Sequence, residues 1–318
     1  MTASAGQRLY ILSFDHRGSF EKGLMGITGV PTEGERERIS ELKTLIYEGF
    51  TRAAAQGAPS ESCGLLIDEE FGADIARSAR GKHFILAMPV ERSGQDEFDF
   101  EFGEDFGEHI EAFDPDFAKV LVRYNPDGDK HLNHRQAGRL ARLSGWLRAN
   151  DRKFLFELLV PATAQQLAAV GGDQDAYDRD LRPDLVVRTL AELPVAGVEP
   201  DIWKIEGLEA REDCERAVTQ ARATGRDQVT CVVLGRGANL DRVAHWLTVA
   251  APVDGYVGFA VGRTIWLDAL SEHVAGHLER DAAIEQIAAN YRQMIDVYAS
   301  AAAGRPPEGP AAAQEGTR

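Results

Sequence analysis

The sequence predicts an α/β protein built as one (β/α)8, or TIM, barrel, and three observations carry that expectation. Short apolar runs and stretches of helical period alternate about eight times across roughly 270 residues, close to the length typical of that fold. The apolar runs are nearly continuous rather than alternating, as in parallel strands covered on both faces. The GxGxxG that would follow the first strand of a doubly wound dinucleotide-binding sheet is missing, because the first run leads into "FDHRGSF".

Eight strands are expected: "LYILSF" (9–14), "GLLID" (64–68), "FILAMPV" (84–90), "FAKVLVRY" (117–124), "FLFELLV" (154–160), "DIWKIEG" (201–207), "VTCVVLG" (229–235) and "GYVGFAV" (255–261). Helices lie between them. In 35–56, Ile39, Leu42, Ile46, Phe50 and Ala53 recur at intervals of three and four, and in 135–149 Leu140, Leu143, Trp146 and Leu147 do the same. An additional terminal helix is expected over 276–301. The barrel domain is placed at 1–302. The acidic, aromatic stretch 91–117 is too long for a minimal loop and is expected as an insertion covering one end of the barrel. The Gly-, Pro- and Ala-rich tail 303–318 has no apolar period and is expected to be disordered.

With 44% apolar residues among 318, the chain has ample material for a large core. Its 51 acidic against 35 basic residues give a net charge of −16, which argues against nucleic acid or an anionic membrane surface as partner. A small phosphorylated molecule needs only local positive charge and is not excluded. No apolar run approaches the roughly 20 residues of a membrane span, and the N-terminus lacks a signal-peptide core, so a cytoplasmic location is expected. The fold class is also compatible with a homo-oligomer. Cys63, Cys214 and Cys231 are scattered without metal or disulfide spacing and are expected to be buried thiols.

In such a barrel the active site forms where strands end, so polar residues there carry the functional signal. These ends hold Asp15, His16 and Arg17; Asp68, Glu69 and Glu70; Glu91 and Arg92; Arg123 and Tyr124; Glu157; Lys204 and Glu206; Gly235, Arg236 and Gly237; and Gly262 and Arg263. Only seven lysines accompany twenty-eight arginines, and two of the seven, Lys119 and Lys204, stand inside apolar strands. A lysine in an apolar wall beside a second positive charge has its pKa lowered, and its neutral amine can condense with a carbonyl as a Schiff base. Lys119 would supply that second charge. An ion pair of Lys204 with Glu206 or Asp201 is the structural alternative. Glu157, flanked by apolar residues, is expected to have a raised pKa and to shuttle protons, or else to pair with Lys119 or Lys204. Asp15 would bind a substrate hydroxyl, or cap the following turn, or pair with Arg17.

"LGRGANL" and "GFAVGRT" each set glycine and arginine at a strand-to-helix junction, where free N–H groups and a helix dipole favour phosphate. Gly235, Arg236, Gly237, Gly262 and Arg263 are therefore expected to hold it, with Arg17, Asp68, Arg123 and Glu206 lining the rest of the substrate site. Asp68, Glu69, Glu70 and Glu91 provide oxygen ligands in number, but no histidine pair has metal-ligand spacing. No metal and no cofactor are expected.

The stretches "YILSFDHRGSFEKGL", "DEEFGADIA", "FAKVLVRYNPDGD", "FELLVP", "DIWKIEGL", "VVLGRG" and "GFAVGRT" resemble the barrel domain fused behind a sugar kinase in bacterial myo-inositol catabolism, described as 2-deoxy-5-keto-gluconate 6-phosphate aldolase. More distantly they are similar to the class I tagatose 1,6-bisphosphate aldolases. The resemblance implies that Lys204 is the Schiff-base lysine, Glu157 its acid–base partner, and Lys119 and Asp15 pocket residues. It also implies a metal-independent aldolase that yields dihydroxyacetone phosphate and malonate semialdehyde. The kinase has no counterpart here, and 91–117 has none in the tagatose-type enzymes. A non-catalytic sugar-phosphate-binding barrel, or an isomerase or epimerase using Glu157 and Asp68, is the alternative; the latter gives the two buried lysines no role.

Overall fold

Parallel strands cannot be joined by tight turns, so each of the first seven strands is followed by a crossover that carries a helix back to the start of the next. A computed structural model describes residues 7–304. Its strands are β1 (Leu9–Ser13), β2 (Cys63–Leu66), β3 (Ile85–Pro89), β4 (Phe117–Arg123), β5 (Lys153–Leu159), β6 (Ile202–Glu206), β7 (Thr230–Leu234) and β8 (Tyr256–Val261). They pair in sequence order, and β8 pairs with β1 to close the barrel. All eight fall within the expected runs or one residue of them.

The crossovers follow the expected rhythm. The helix Glu33–Ala55 starts at a capping box in which Thr32 and Glu35 satisfy each other's backbone N–H groups. Lys130–Ala149 starts at Asp129, whose carboxylate accepts from two backbone N–H groups. The terminal helix is Arg280–Ala302. Of the expected tail, 305–318 lies outside the described residues. No helix among the described residues is long and apolar enough to cross a membrane. Cys63, Cys214 and Cys231 are buried free thiols.

The stretch 91–117 is the third crossover itself. It pairs Glu91 with Phe100 in an isolated antiparallel bridge, turns through Gly103–Asp105 and forms the short helix Phe106–Phe113. Its aromatic residues are what bury it: Phe98, Phe100 and Phe106 contact one another in series, and Phe106 meets Trp146 edge-on. Only its first residues reach the barrel mouth.

Inside the barrel, Leu9, Ile11, Leu66, Ile85, Phe117, Leu155, Ile202 and Val232 belong to one small apolar plug, separate from the larger layer between strands and helices. Two residues further along the strands the inward positions turn polar, with Ser13 after Ile11, Lys119 after Phe117, Glu157 after Leu155 and Lys204 after Ile202. The plug therefore closes the bottom, and the top is left to chemistry. At the close of the barrel β8 runs so near β1 that a Cβ on Gly258 would lie 1.8 Å from the Leu9 carbonyl oxygen, so only glycine fits.

Asp68, expected among the substrate residues, has a different task. Fully buried, it caps the helix Glu69–Gly81 by accepting from Phe71 N at 2.8 Å, and its other oxygen takes the ammonium of Lys43, itself fully buried on the helix Glu33–Ala55. Replacing one member of such a pair leaves a buried charge unmatched. Lys43→Met is expected to lower the unfolding free energy by about 3–5 kcal/mol in urea titrations. An Asp68 that served the ligand instead would leave that stability nearly intact.

Candidate active site

The strand register assembles the site. Glu157 on β5 stands opposite Lys204 on β6, and Lys119 on the neighbouring β4 is inward-facing and long enough to reach the same level. All three line a cavity of about 690 Å3 at the C-terminal ends of the strands, together with Ser13, Asp15, Arg123 and the glycines after β7 and β8. This is the end at which barrels of this type place their chemistry.

Lys119 is its centre. Its Nζ donates to Asp15 Oδ2 at 2.8 Å and to Glu91 Oε1 at 2.7 Å, and stands 3.0 Å from Glu157 Oε2. An ammonium has three N–H groups, and three carboxyls surround this one. Burial alone would lower its pKa, but Asp15, Glu157 and Glu91 outweigh burial and hold it well above the ordinary lysine value. Lys119 is the positive neighbour of Lys204 that the sequence expects, and Glu157 stands between them. The charge of Lys119 is answered by three acids.

Lys204 Nζ lies 3.0 Å from Glu157 Oε1 and 3.5 Å from Ser13 Oγ, the side chain being almost wholly buried. It pairs with neither Glu206 nor Asp201. Glu157 therefore bridges both ammonium groups with its two oxygens. Burial works to raise its pKa, as the sequence suggested, but Lys119 and Lys204 more than offset that and hold it below the ordinary glutamate value. The expected upward shift is corrected because two cations at 3.0 Å outweigh desolvation. Burial also opposes the ionised form of Asp15, yet Lys119, His16 and Lys204 keep it well below the usual carboxylate range. His16 is pushed down to about 4 by burial, with Arg263 and Lys204 adding to the effect against Asp15.

A second group of residues stands at the ends of β7 and β8. Gly237 has φ +73°, and a Cβ there would lie 2.9 Å from Arg263 Nη2. Arg263 is the first residue of the helix Arg263–Val274, is exposed, and has no ion pair or hydrogen bond from its guanidinium among the described residues. Free backbone N–H groups, a helix N-terminus and an unpaired guanidinium together suit a phosphate. Gly235 and Gly262 complete this wall of the cavity. Arg236 also faces the cavity but is braced, its Nη1 donating to Asp178 at 2.5 Å and its Nε standing 3.2 Å from Glu206.

Glu206 is not brought to the cavity. Its Oε2 accepts from Val160 N at 2.9 Å, and it is enclosed with Arg182 and Arg236, so it holds the ends of β5 and β6 to the loop after β7. Arg17 lines the cavity but ties β1 to the third crossover, donating to Glu101 at 2.8 Å and to the Glu91 carbonyl at 2.7 Å. Arg123 donates to the Gln95 carbonyl at 2.9 Å and has no carboxylate partner among the described residues. Glu69 and Glu70 are on the outside, paired with His109 and Arg36. Sequence reasoning gave no role to Ser13 and weighed Glu91 only as a strand-end residue and an oxygen ligand. Both continue an inward alternation, Leu9, Ile11, Ser13 and Ile85, Ala87, Pro89, Glu91, and that spacing is the signal that finds them.

Part of the chain is similar to known aldolases. It is 28% identical over 153 residues to tagatose 1,6-diphosphate aldolase 2 of Streptococcus pyogenes serotype M1, covering 46% of this chain and 43% of the relative. It is 27% identical over 177 residues to tagatose 1,6-diphosphate aldolase 1 of the same organism, half of each chain, and 27% over 154 residues to that of Streptococcus mutans, 46% and 44% of the two. The matches thus span about half the length of these curated relatives. The family described as an uncharacterized protein conserved in bacteria, DUF2090, matches residues 2–302, and the chain belongs to that family.

Proposed function

We propose that the protein is a class I aldolase that cleaves a ketose phosphate through a Schiff base on Lys204. The observation that carries this reading is the buried Lys204–Glu157 pair, 3.0 Å apart in the cavity wall, with an unpaired guanidinium on Arg263 lining the same cavity. The similarity to tagatose 1,6-diphosphate aldolases supports the reaction class. The resemblance to the inositol-pathway domain favours 2-deoxy-5-keto-gluconate 6-phosphate as substrate, with dihydroxyacetone phosphate and malonate semialdehyde as products.

The proton steps follow from the geometry. Glu157, ionised at rest, takes a proton from the Lys204 ammonium and frees the amine to attack the ketone carbon. The same carboxyl returns that proton to the carbinolamine hydroxyl, which leaves as water and gives the protonated imine. The imine accepts the electron pair of the adjacent carbon–carbon bond as the hydroxyl beyond it loses its proton to an ionised carboxylate, and the aldehyde departs. Protonation of the remaining enamine and hydrolysis of the imine release dihydroxyacetone phosphate and restore Lys204. Arg263, with the N–H groups after β7 and β8, holds the phosphate in place throughout.

Borohydride reduction in the presence of dihydroxyacetone phosphate is expected to leave a covalent adduct on the peptide that holds Lys204, read by mass spectrometry, and none in Lys204→Ala. An adduct elsewhere, or full activity in Lys204→Ala, contradicts the proposal. Glu157→Gln is expected to lower kcat by roughly 10²–10⁴-fold, the usual loss for a general acid–base group, with a smaller change in KM. An unchanged kcat removes Glu157 from the proton pathway.

A further inference from the structure

Glu91 has one oxygen that no other described residue uses. The residue is 7% exposed; its Oε1 accepts from Lys119, while its Oε2 is buried, without a partner, in a side chain that lines the cavity. Its backbone is fixed on both sides, by Arg17 on its carbonyl and by the bridge to Phe100. A carboxyl oxygen left buried with no partner is costly, so this atom is a poor structural feature and a good ligand group. The charge balance points the same way: two ammonium groups, Lys119 and Lys204, face three carboxyls, Asp15, Glu91 and Glu157. A proton on Glu91 leaves the buried cluster neutral, and burial raises the pKa of Glu91, with Asp15 adding to the rise against Lys119 and Arg17.

Position in the barrel says which part of a substrate it meets. β3 lies across the barrel from β7 and β4 from β8. A ketose phosphate anchored at the β7 and β8 loops, with its ketone at Lys204 on β6, runs its remaining carbons toward β3 and β4. Glu91 and the carboxylate-free guanidinium of Arg123 stand there. We propose that Glu91 is a specificity-determining residue: a protonated carboxyl whose Oε2 hydroxyl donates to an acceptor oxygen on the half of the substrate that leaves as the aldehyde. Beside Arg123, it selects aldehydes that end in an anion over bare alkanals. This inference rests on the aldolase reading above.

The test is condensation of dihydroxyacetone phosphate with malonate semialdehyde and with propanal, in the whole protein and in E91A and E91Q, reading the ratio of the two kcat/KM values. E91A is expected to lower that ratio about 10- to 100-fold through the aldehyde KM, the loss expected for a hydrogen bond to a charged group. E91Q places an amide N–H at Oε2 and an oxygen toward Lys119, and is expected to keep the ratio within about threefold. Collapse of the ratio in E91Q as in E91A overturns the proposal, because it makes Glu91 an ionised acceptor. Equal loss with both aldehydes in E91A, or no loss, also overturns it, leaving Glu91 only as a support for Lys119. The aldolase reading is checked separately by the wild-type borohydride adduct on Lys204, and its absence removes both conclusions.

Discussion

An ammonium ion stripped of water, as Lys119 is, persists in a protein only where the structure supplies compensating charge, and the active end of this barrel is organised around that requirement. Taking such an ion from water costs several kcal/mol, and the ionised neighbours Asp15 and Glu157 bear similar costs of their own. Asp15, Glu91 and Glu157 come from the ends of β1, β3 and β5, so one cation ties together strands well separated around the barrel. Glu157 extends the network to Lys204 on β6.

The network also separates chemistry from support. Glu157 lies between the two lysines, and both hold its pKa below the ordinary glutamate value. Asp15 is kept ionised by the same cluster, Lys119 above all. Around this centre a second set of ion pairs braces the elements that carry the site. Lys43 with Asp68 pins the first long helix to the end of β2, and Arg182, Asp178, Arg236 and Glu206 pin the loop after β7. That loop is held so that Gly237 sits under the Arg263 guanidinium, which is left open. The charges facing the cavity thus divide into a central cluster of lysines and carboxyls and the guanidinium groups of Arg263 and Arg123 on opposite sides.

The fold was readable because parallel strands buried on both faces appear as uninterrupted apolar runs, and all eight did so. The lysines and Glu157 were readable for a related reason: a charge inside such a run has no solvent to face. Their energetics were not. Whether Glu157 moves up or down depends on two Nζ atoms at 3.0 Å, one of them 38 residues away along the chain, and burial alone gives the wrong sign. Asp68 and Glu206 looked like site acids because they end strands. Their partners, Lys43 and Arg182, lie on helices, where a lysine beside Leu42 on the buried face is a legible sign only after the helix has been docked. Glu91 was read only as a strand-end oxygen ligand, because Pro89 and the acidic stretch after it hide the end of the inward alternation.

The central claim is that Lys119 is an ammonium held by ionised carboxylates, and pH separates it from a merely packed lysine. Unfolding free energies of the wild type and Lys119→Met should be compared between pH 7 and pH 3. Asp15 and Glu157 have folded pKa values below their unfolded ones, so their contribution is present above about pH 4 and is lost as pH falls toward the folded values. The variant is expected to be about 3–5 kcal/mol less stable at pH 7, with the gap narrowing as the acids take up protons. A gap that is small at pH 7, or constant across the range, contradicts the account.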